Sequence, residues 1–268
     1  MYHGWPTLSL LQNGEMVLAW SGGREGHVCP FGQVHYMKSR DGGEHWCWPR
    51  VILDSGLDDR DAGVLETRNG TLLVTTFSSL AYEPIFRRAL ASGDWESKRI
   101  RRWTAAHNRL ESEARERELG QWMIRSEDDG KSWRWLSEIP ARDGDDPRNY
   151  HELHAVEMPD RRIVVHIRNH NPAHAQETLQ CESPDGGRSW TKPRSIGVWG
   201  LPSHLLGLSD GRVLMTYGYR RPPFGNQIRI SENGRKWSAP KTISDDGASV
   251  DLGYLSTVQL KDGTFVTV

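Results

Sequence analysis

Short apolar runs, punctuated by turn residues, recur along the whole chain. Pro6–Leu11 and Met16–Trp20 flank Asn13-Gly14, the strongest short-range signal for a β-hairpin. Gln33–Lys38 reads as a third strand and Arg50–Leu53 as a fourth. The same order returns with Val64–Glu66, Asn69-Gly70, Thr71–Phe77 and Gln121–Arg125. It returns again with Leu153–Met158, a turn at Asp160-Arg161, Ile163–Arg168 and Thr178–Cys181. A further unit runs through Leu205–Leu208, Asp210-Gly211, Val213–Gly218 and Gln227–Ile230. Leu255–Leu260, Asp262-Gly263 and Thr264–Val268 begin another, and the sequence stops on that strand.

A second motif follows the third strand of each unit. Ser39–Trp46 reads SRDGGEHW, Ser126–Trp133 SEDDGKSW, Ser183–Trp190 SPDGGRSW, and Ser231–Trp237 SENGRKW, one residue shorter. The Asp or Asn side chain can bond backbone N–H groups inside a tight turn, and Gly takes a positive φ. The closing Trp buries apolar surface and keeps one N–H to satisfy. Four such turns make an internal repeat, which governs the reading of everything else. One stretch, about 84–120, interrupts the second unit. Its part WTAAHNRLESEARERELG is dense in Ala, Leu, Glu and Arg and predicts a helix ended by Gly120. That helix either packs on the rim or forms a lid or wall over a pocket.

Composition adds limits. The 268 residues suffice for one domain built of these repeats or for two small domains. With 34 basic and 35 acidic residues the net charge is −1, which gives no electrostatic footprint for nucleic acid or an anionic membrane. No apolar run approaches the ~20 residues of a membrane-spanning helix. Cys29, Cys47 and Cys181 cannot all pair and lack metal-ligand spacing, so they read as free thiols. The N-terminal MYHGWPTLSLL has no basic segment and no long apolar core, and so does not read as a signal peptide.

The four boxes resemble the Asp-box repeat of the sialidase superfamily. In that family the box joins the last two strands of a β-propeller blade. The resemblance implies an all-β fold: a single propeller domain over 1–268, built of four-stranded blades, with a helical insertion in the second. Sialidase propellers are six-bladed. Against that plan one blade is missing between Trp133 and Tyr150, and the ring is expected to be incomplete at the C-terminus, with Thr264–Val268 as an exposed edge.

The hairpins give an internal ruler. Eight residues before the first residue of each turn lie Trp5, Asp61, Glu152, Pro202 and Tyr254. Equivalent positions on first strands should converge at one mouth of the central axis. Resemblance then assigns roles. Gly253-Tyr254-Leu255-Ser256-Thr257 is similar to the family's nucleophile segment. Glu152 matches the Glu that takes the phenol proton, Arg168 an arginine across the following hairpin, and Arg220 or Arg221 an arginine ahead of an Arg-x-Ser box strand. A sialic acid carboxylate would repel a carboxylate nucleophile, so a neutral Tyr is used instead. Free Tyr has a pKa of ~10 and needs a base. Arginine forks bind the substrate carboxylate.

Two positions depart from the family. Gly4 stands where a first carboxylate-binding arginine is usual, and His27 falls at about the position of the acid/base Asp. His27 can exchange protons near neutral pH, and Arg24 is a candidate for the missing guanidinium. Asp61 is a second acid/base candidate. Arg60, His151 and His204 are further candidates for substrate binding. Asp58–Asp61 reads alternatively as loop charge. Around Glu152 cluster His151, His154, His166, His170 and His174, for which a metal site and plain strand surface are competing readings.

The function expected is a sialidase-like glycoside hydrolase that removes a terminal acidic sugar from a glycan, without a cofactor or a metal. A polysaccharide lyase on uronate-containing glycans is one alternative. There His27 or His151 would take the C5 proton and Tyr254 would protonate the leaving oxygen. A non-catalytic glycan-binding propeller is the other.

Overall fold

A computed structural model describes residues 2–172 and 177–268. His174 lies outside the described residues. Four antiparallel four-stranded sheets follow one another in chain order. The first holds β1 (Tyr2–Leu10), β2 (Met16–Arg24), β3 (Gln33–Ser39) and β4 (Arg50–Leu53). The second holds β5 (Asp58–Glu66), β6 (Leu72–Ser79), β7 (Gln121–Ser126) and β8 (Arg134–Ile139). The third holds β9 (Tyr150–Glu157), β10 (Ile163–Asn169), β11 (Thr178–Ser183) and β12 (Arg194–Ser195). The fourth holds β13 (Ser203–Gly207), β14 (Val213–Tyr219), β15 (Gly225–Ser231) and β16 (Lys241–Ser244). A two-stranded sheet of β17 (Thr257–Gln259) and β18 (Phe265–Thr267) follows. The first strand of each sheet neighbours the first strand of the next, as blades do around a propeller axis.

Three apolar clusters join blade to blade. Val17, Val34 and Tyr36 of blade one pack with Val64, Leu72 and Ile124 of blade two. Leu73, Met123 and Ile139 of blade two pack with Leu153, Ile163 and Leu179 of blade three. Val156 and Val164 pack with Leu205, Val213 and Met215. Strands in such a stack are covered on both faces. This explains why β5 and β6 are buried almost throughout and do not alternate.

Every box joins the third strand of a blade to the fourth, as expected. In the first three, the Ser hydroxyl accepts from the Gly four residues on, and the Asp carboxylate accepts from the N–H four residues on from the Asp. The fourth, with Asn, differs: Ser231 donates to the Lys236 carbonyl. Trp46, Trp133, Trp190 and Trp237 are half-buried rather than enclosed. Each indole N–H is satisfied, by Gly43, Gly130, Ser137 and Gln180 respectively.

The boxes make stability acid-sensitive. Asp41 is held down to about 2, chiefly by the His45 N–H. In Asp185 slight burial opposes the shift, but bonds from Ser189 and Ser183 prevail and hold it at about 2. These folded values lie below the unfolded value of ~3.9. The contribution is therefore complete above that value and lost as pH falls toward the folded one. Denaturant titrations should show stability falling between about pH 4 and about pH 2, with a shallower slope in Asp185→Asn. An equal slope in the variant would remove the boxes from the acid response.

The insertion is helical but not a single helix. It forms α1 (Glu83–Ser92), α2 (Ser97–His107) and α3 (Ser112–Arg117). Gly93, in the left-handed region, caps α1 through its N–H to the Ala89 carbonyl. The predicted run through Gly120 breaks at Asn108–Glu111. Trp103 and Ala106 belong to α2, and α3 ends before Gly120. The helices do not pack on their own blade alone. Tyr82, Phe86 and Trp103 bury Cys29, with Val28 and Phe31 against them, all from the β2–β3 loop of blade one. Glu25 of that loop accepts from Arg99 Nε at 2.5 Å and from Trp103 Nε1 at 3.3 Å. Cys29 and Cys181 are buried free thiols and Cys47 an exposed one. Between Trp133 and Tyr150 lie only β8 and a short 3₁₀ turn. Among the described residues no helix is long and apolar enough to cross a membrane.

Candidate active site

The ruler positions meet. Trp5, Asp61, Glu152, Pro202 and Tyr254 all line one axial channel of about 310 Å³. Local irregularities aim them. β1 slips register between Gly4 and Thr7, and β5 between Arg60 and Gly63. In each the extra residue is left-handed, Trp5 at φ 54° and Asp61 at φ 43°. β9 slips at the matching place, around His151 and Glu152. Such bulges re-aim a side chain at the cost of local pairing.

Above the channel the axis opens into a cleft of about 740 Å³. His27, Arg60, Asp61, His151, Glu152, Arg168, Arg220 and Tyr254 line its propeller side. Glu83 and Arg87 of α1, Glu116 of α3 and Leu119 line the other, so the insertion forms a wall. His204 is the exception. It lines the channel below the carboxylates and packs on His154, ring centroids 4.3 Å apart.

At the centre Tyr254 Oη donates to Glu152 Oε1 at 2.5 Å. Arg168 Nη1 donates to the same oxygen at 2.8 Å and to Tyr254 Oη at 3.1 Å. Burial works against the Glu152 carboxylate, but the Arg168 charge and the Tyr254 hydroxyl outweigh it and hold Glu152 below the usual range. Burial first, then the Glu152 charge, pushes the Tyr254 phenol up. The pair therefore rests as neutral phenol and carboxylate.

Asp61 is 5% exposed. Burial, then the Glu152 charge, raises its carboxyl far above the ordinary range, so it keeps a proton where Glu152 has none. His27 goes the other way: burial, then Arg60 and Arg24, lowers its pKa. His151 is pushed down to about 4, mainly by burial, and is stacked between Phe77 and His170.

Besides Arg87 and Arg148, three guanidiniums line the cleft among the described residues. Arg168 is bonded as above. Arg220 donates Nε to the Leu201 carbonyl and lies 5.8 Å from the Tyr254 ring, while its buried Nη2 has no hydrogen-bond partner. Arg221 is turned away over Trp199. Arg60 stacks on Trp5 at 4.9 Å, and its Nε has no hydrogen-bond partner either. Arg24, a candidate for the place left by Gly4, is not in the cleft. It is buried against Asp58 at 2.7 Å and bonds the His27 carbonyl. Asp58–Asp61 is not loop charge: it opens β5 and is buried throughout.

The residues that sequence reasoning did not single out are those on the far wall, Glu83, Arg87 and Glu116, together with Arg148 and Asp251. The only signal for the first three was the insertion itself.

The fold and the repeat define an Asp-box β-propeller of the sialidase superfamily. The chain belongs to the BNR repeat-like domain family, whose profile matches residues 3–267. Among curated proteins none matches. Of solved structures, the NanB sialidase from Streptococcus pneumoniae is 13% identical with a TM-score of 0.66, covering 99% of this chain and 56% of that one. The Hadza microbial sialidase Hz136 is 16% identical with a TM-score of 0.64, covering 100% and 52%. An α-L-arabinofuranosidase from Fusarium graminearum is 17% identical with a TM-score of 0.65, covering 99% and 74%. The chain thus spans about half the length of those sialidase chains. At these identities the likeness is one of fold, and it extends over glycosidases of different sugars.

Proposed function

We propose that this propeller is a glycosidase for a terminal acidic sugar, with Tyr254 as nucleophile and Glu152 as its base. The triangle of Tyr254, Glu152 and Arg168 carries the reading. As Tyr254 Oη attacks the anomeric carbon, its proton passes to Glu152, and Arg168, bonded to both oxygens, stabilises the negative charge as it moves from Glu152 onto the phenolic oxygen. Asp61, still protonated, supplies the proton to the leaving oxygen. Arg60 and Arg220, which line the cleft with Arg168, suit a substrate carboxylate; Arg60 takes the part that Gly4 cannot. The alkaline limb of the pH profile then belongs to Asp61 and the acid limb to Glu152.

One observation favours a second reading. His27 is neutral, and a neutral imidazole facing an arginine-held carboxylate could take a C5 proton as a lyase base. The experiment is a product assay on 4-methylumbelliferyl sialoside and on uronate-containing polysaccharides. Free acidic sugar supports the glycosidase. Ultraviolet absorbance from a new double bond, without free sugar, transfers the site to lyase chemistry. Binding without turnover sinks both readings.

A further inference from the structure

We infer that the rim of blade two carries a second carbohydrate site, built for a neutral sugar ring and separate from the cleft. A cavity of about 440 Å³ opens beside β7 and β8, lined by Ser55, Glu118, Trp122, Trp135 and Glu138 among others. Strand register puts its key residues on one face. Trp122 pairs with Glu138, and Trp135 pairs with Ile124, two residues on from Trp122. The two indoles meet edge to face, centroids 4.6 Å apart at 75°. Trp135 remains 46% exposed. Gly120 keeps the floor open, since a Cβ there would stand 3.3 Å from both Glu138 Oε1 and the Trp122 ring.

Two polar groups at this cavity have no partner among the described residues of the protein. Trp122 Nε1 is buried without a hydrogen-bond partner, whereas a buried indole N–H normally finds one. The Glu138 carboxylate is exposed at the cavity and makes no hydrogen bond or ion pair among the described residues. The cavity therefore suits a ligand with an acceptor for Trp122, a donor for Glu138 and an apolar face for Trp135. A sugar ring offers all three: its oxygens accept, its hydroxyls donate, and its C–H face stacks on indole. An ammonium ion would suit the rings and carboxylates but would leave the Trp122 N–H unpaired. An acidic sugar would meet Glu118 and Glu138 as like charges. Glu118 lines this cavity while the next residue, Leu119, lines the cleft, so two sites of opposite charge preference share one wall.

The test is binding of cellotetraose, maltotetraose, xylotetraose, arabinotetraose and lacto-N-tetraose, with choline as the cation control, by saturation-transfer NMR and calorimetry. At least one oligosaccharide should bind. Trp135→Ala should weaken it at least about tenfold, and the isosteric Glu138→Gln should weaken it too, while turnover in the cleft is unchanged. If none of the five binds, if choline binds in their place, or if a bound sugar is held equally by both variants, the inference is overturned. Glu138→Gln decides the matter alone should Trp135→Ala fail to fold.

Discussion

Tyr254→Phe should abolish turnover on acidic-sugar glycosides, by about a thousandfold or more, which is about 4 kcal/mol of barrier. The substitution removes one oxygen. It leaves Glu152 and Arg168 paired at 2.8 Å, so the rest of the triangle stays intact. Tyr254 is 45% exposed and sits outside the blade cores, so thermal stability should move little. Product or inhibitor binding should likewise survive. The result to look for is a collapse of kcat with binding retained. Full turnover in Tyr254→Phe would make the phenol a bystander and remove the covalent route. Loss of both binding and folding would point to a structural role instead.

Arg24→Ala should destabilise the protein by about 3–5 kcal/mol, the range for stripping one partner from a buried ion pair. Both side chains are wholly buried, and the guanidinium meets Asp58 at 2.7 and 3.0 Å. Burial alone already pushes the Asp58 carboxyl up against the pull of Arg24. Without Arg24 that carboxylate keeps the Cys29 N–H and, at 3.8 Å, Arg60. Denaturant unfolding measures the loss. A double variant, Arg24→Met with Asp58→Leu, should recover part of it, because apolar replacement of both partners removes the desolvation cost. An unchanged midpoint in Arg24→Ala would show that the pair contributes nothing net. The same substitution also frees the His27 carbonyl, which Arg24 Nη2 holds at 2.8 Å.

Much of this plan is legible in the residues because it repeats. Box turns and Asn-Gly or Asp-Gly hairpins are short-range signals, and their spacing fixes which strand positions are equivalent. The shared offset alone collected Trp5, Asp61, Glu152, Pro202 and Tyr254 into one channel. What escaped was non-repeating or long-range. β5 begins at Asp58 rather than Val64, because its charged residues are paired across blades, and no alternation betrays that. The insertion reads as helix, but that its helices bury Cys29 of another blade depends on tertiary contact. The choice between Arg24 and Arg60 for the cleft rested on a bulge between Arg60 and Gly63, which composition does not encode. The direction of each acid/base group came from burial and neighbouring charge, so Asp61 and His27 could be nominated together but not ranked.

The grip of the insertion on the β2–β3 loop makes those segments one cooperative unit of local unfolding. The loop carrying His27 is glycine-rich and has little apolar mass of its own beyond Val28, Cys29 and Phe31, of which Cys29 is enclosed by the insertion and the other two pack against it half-buried. Whatever opens α2 away from the propeller also releases that loop, and restoring one restores the other. Amide protection in the two segments should then rise and fall together, although about 70 residues of chain and a blade boundary divide them. One side of the cleft is thus assembled as a single event, from a graft in the second blade and a strap in the first.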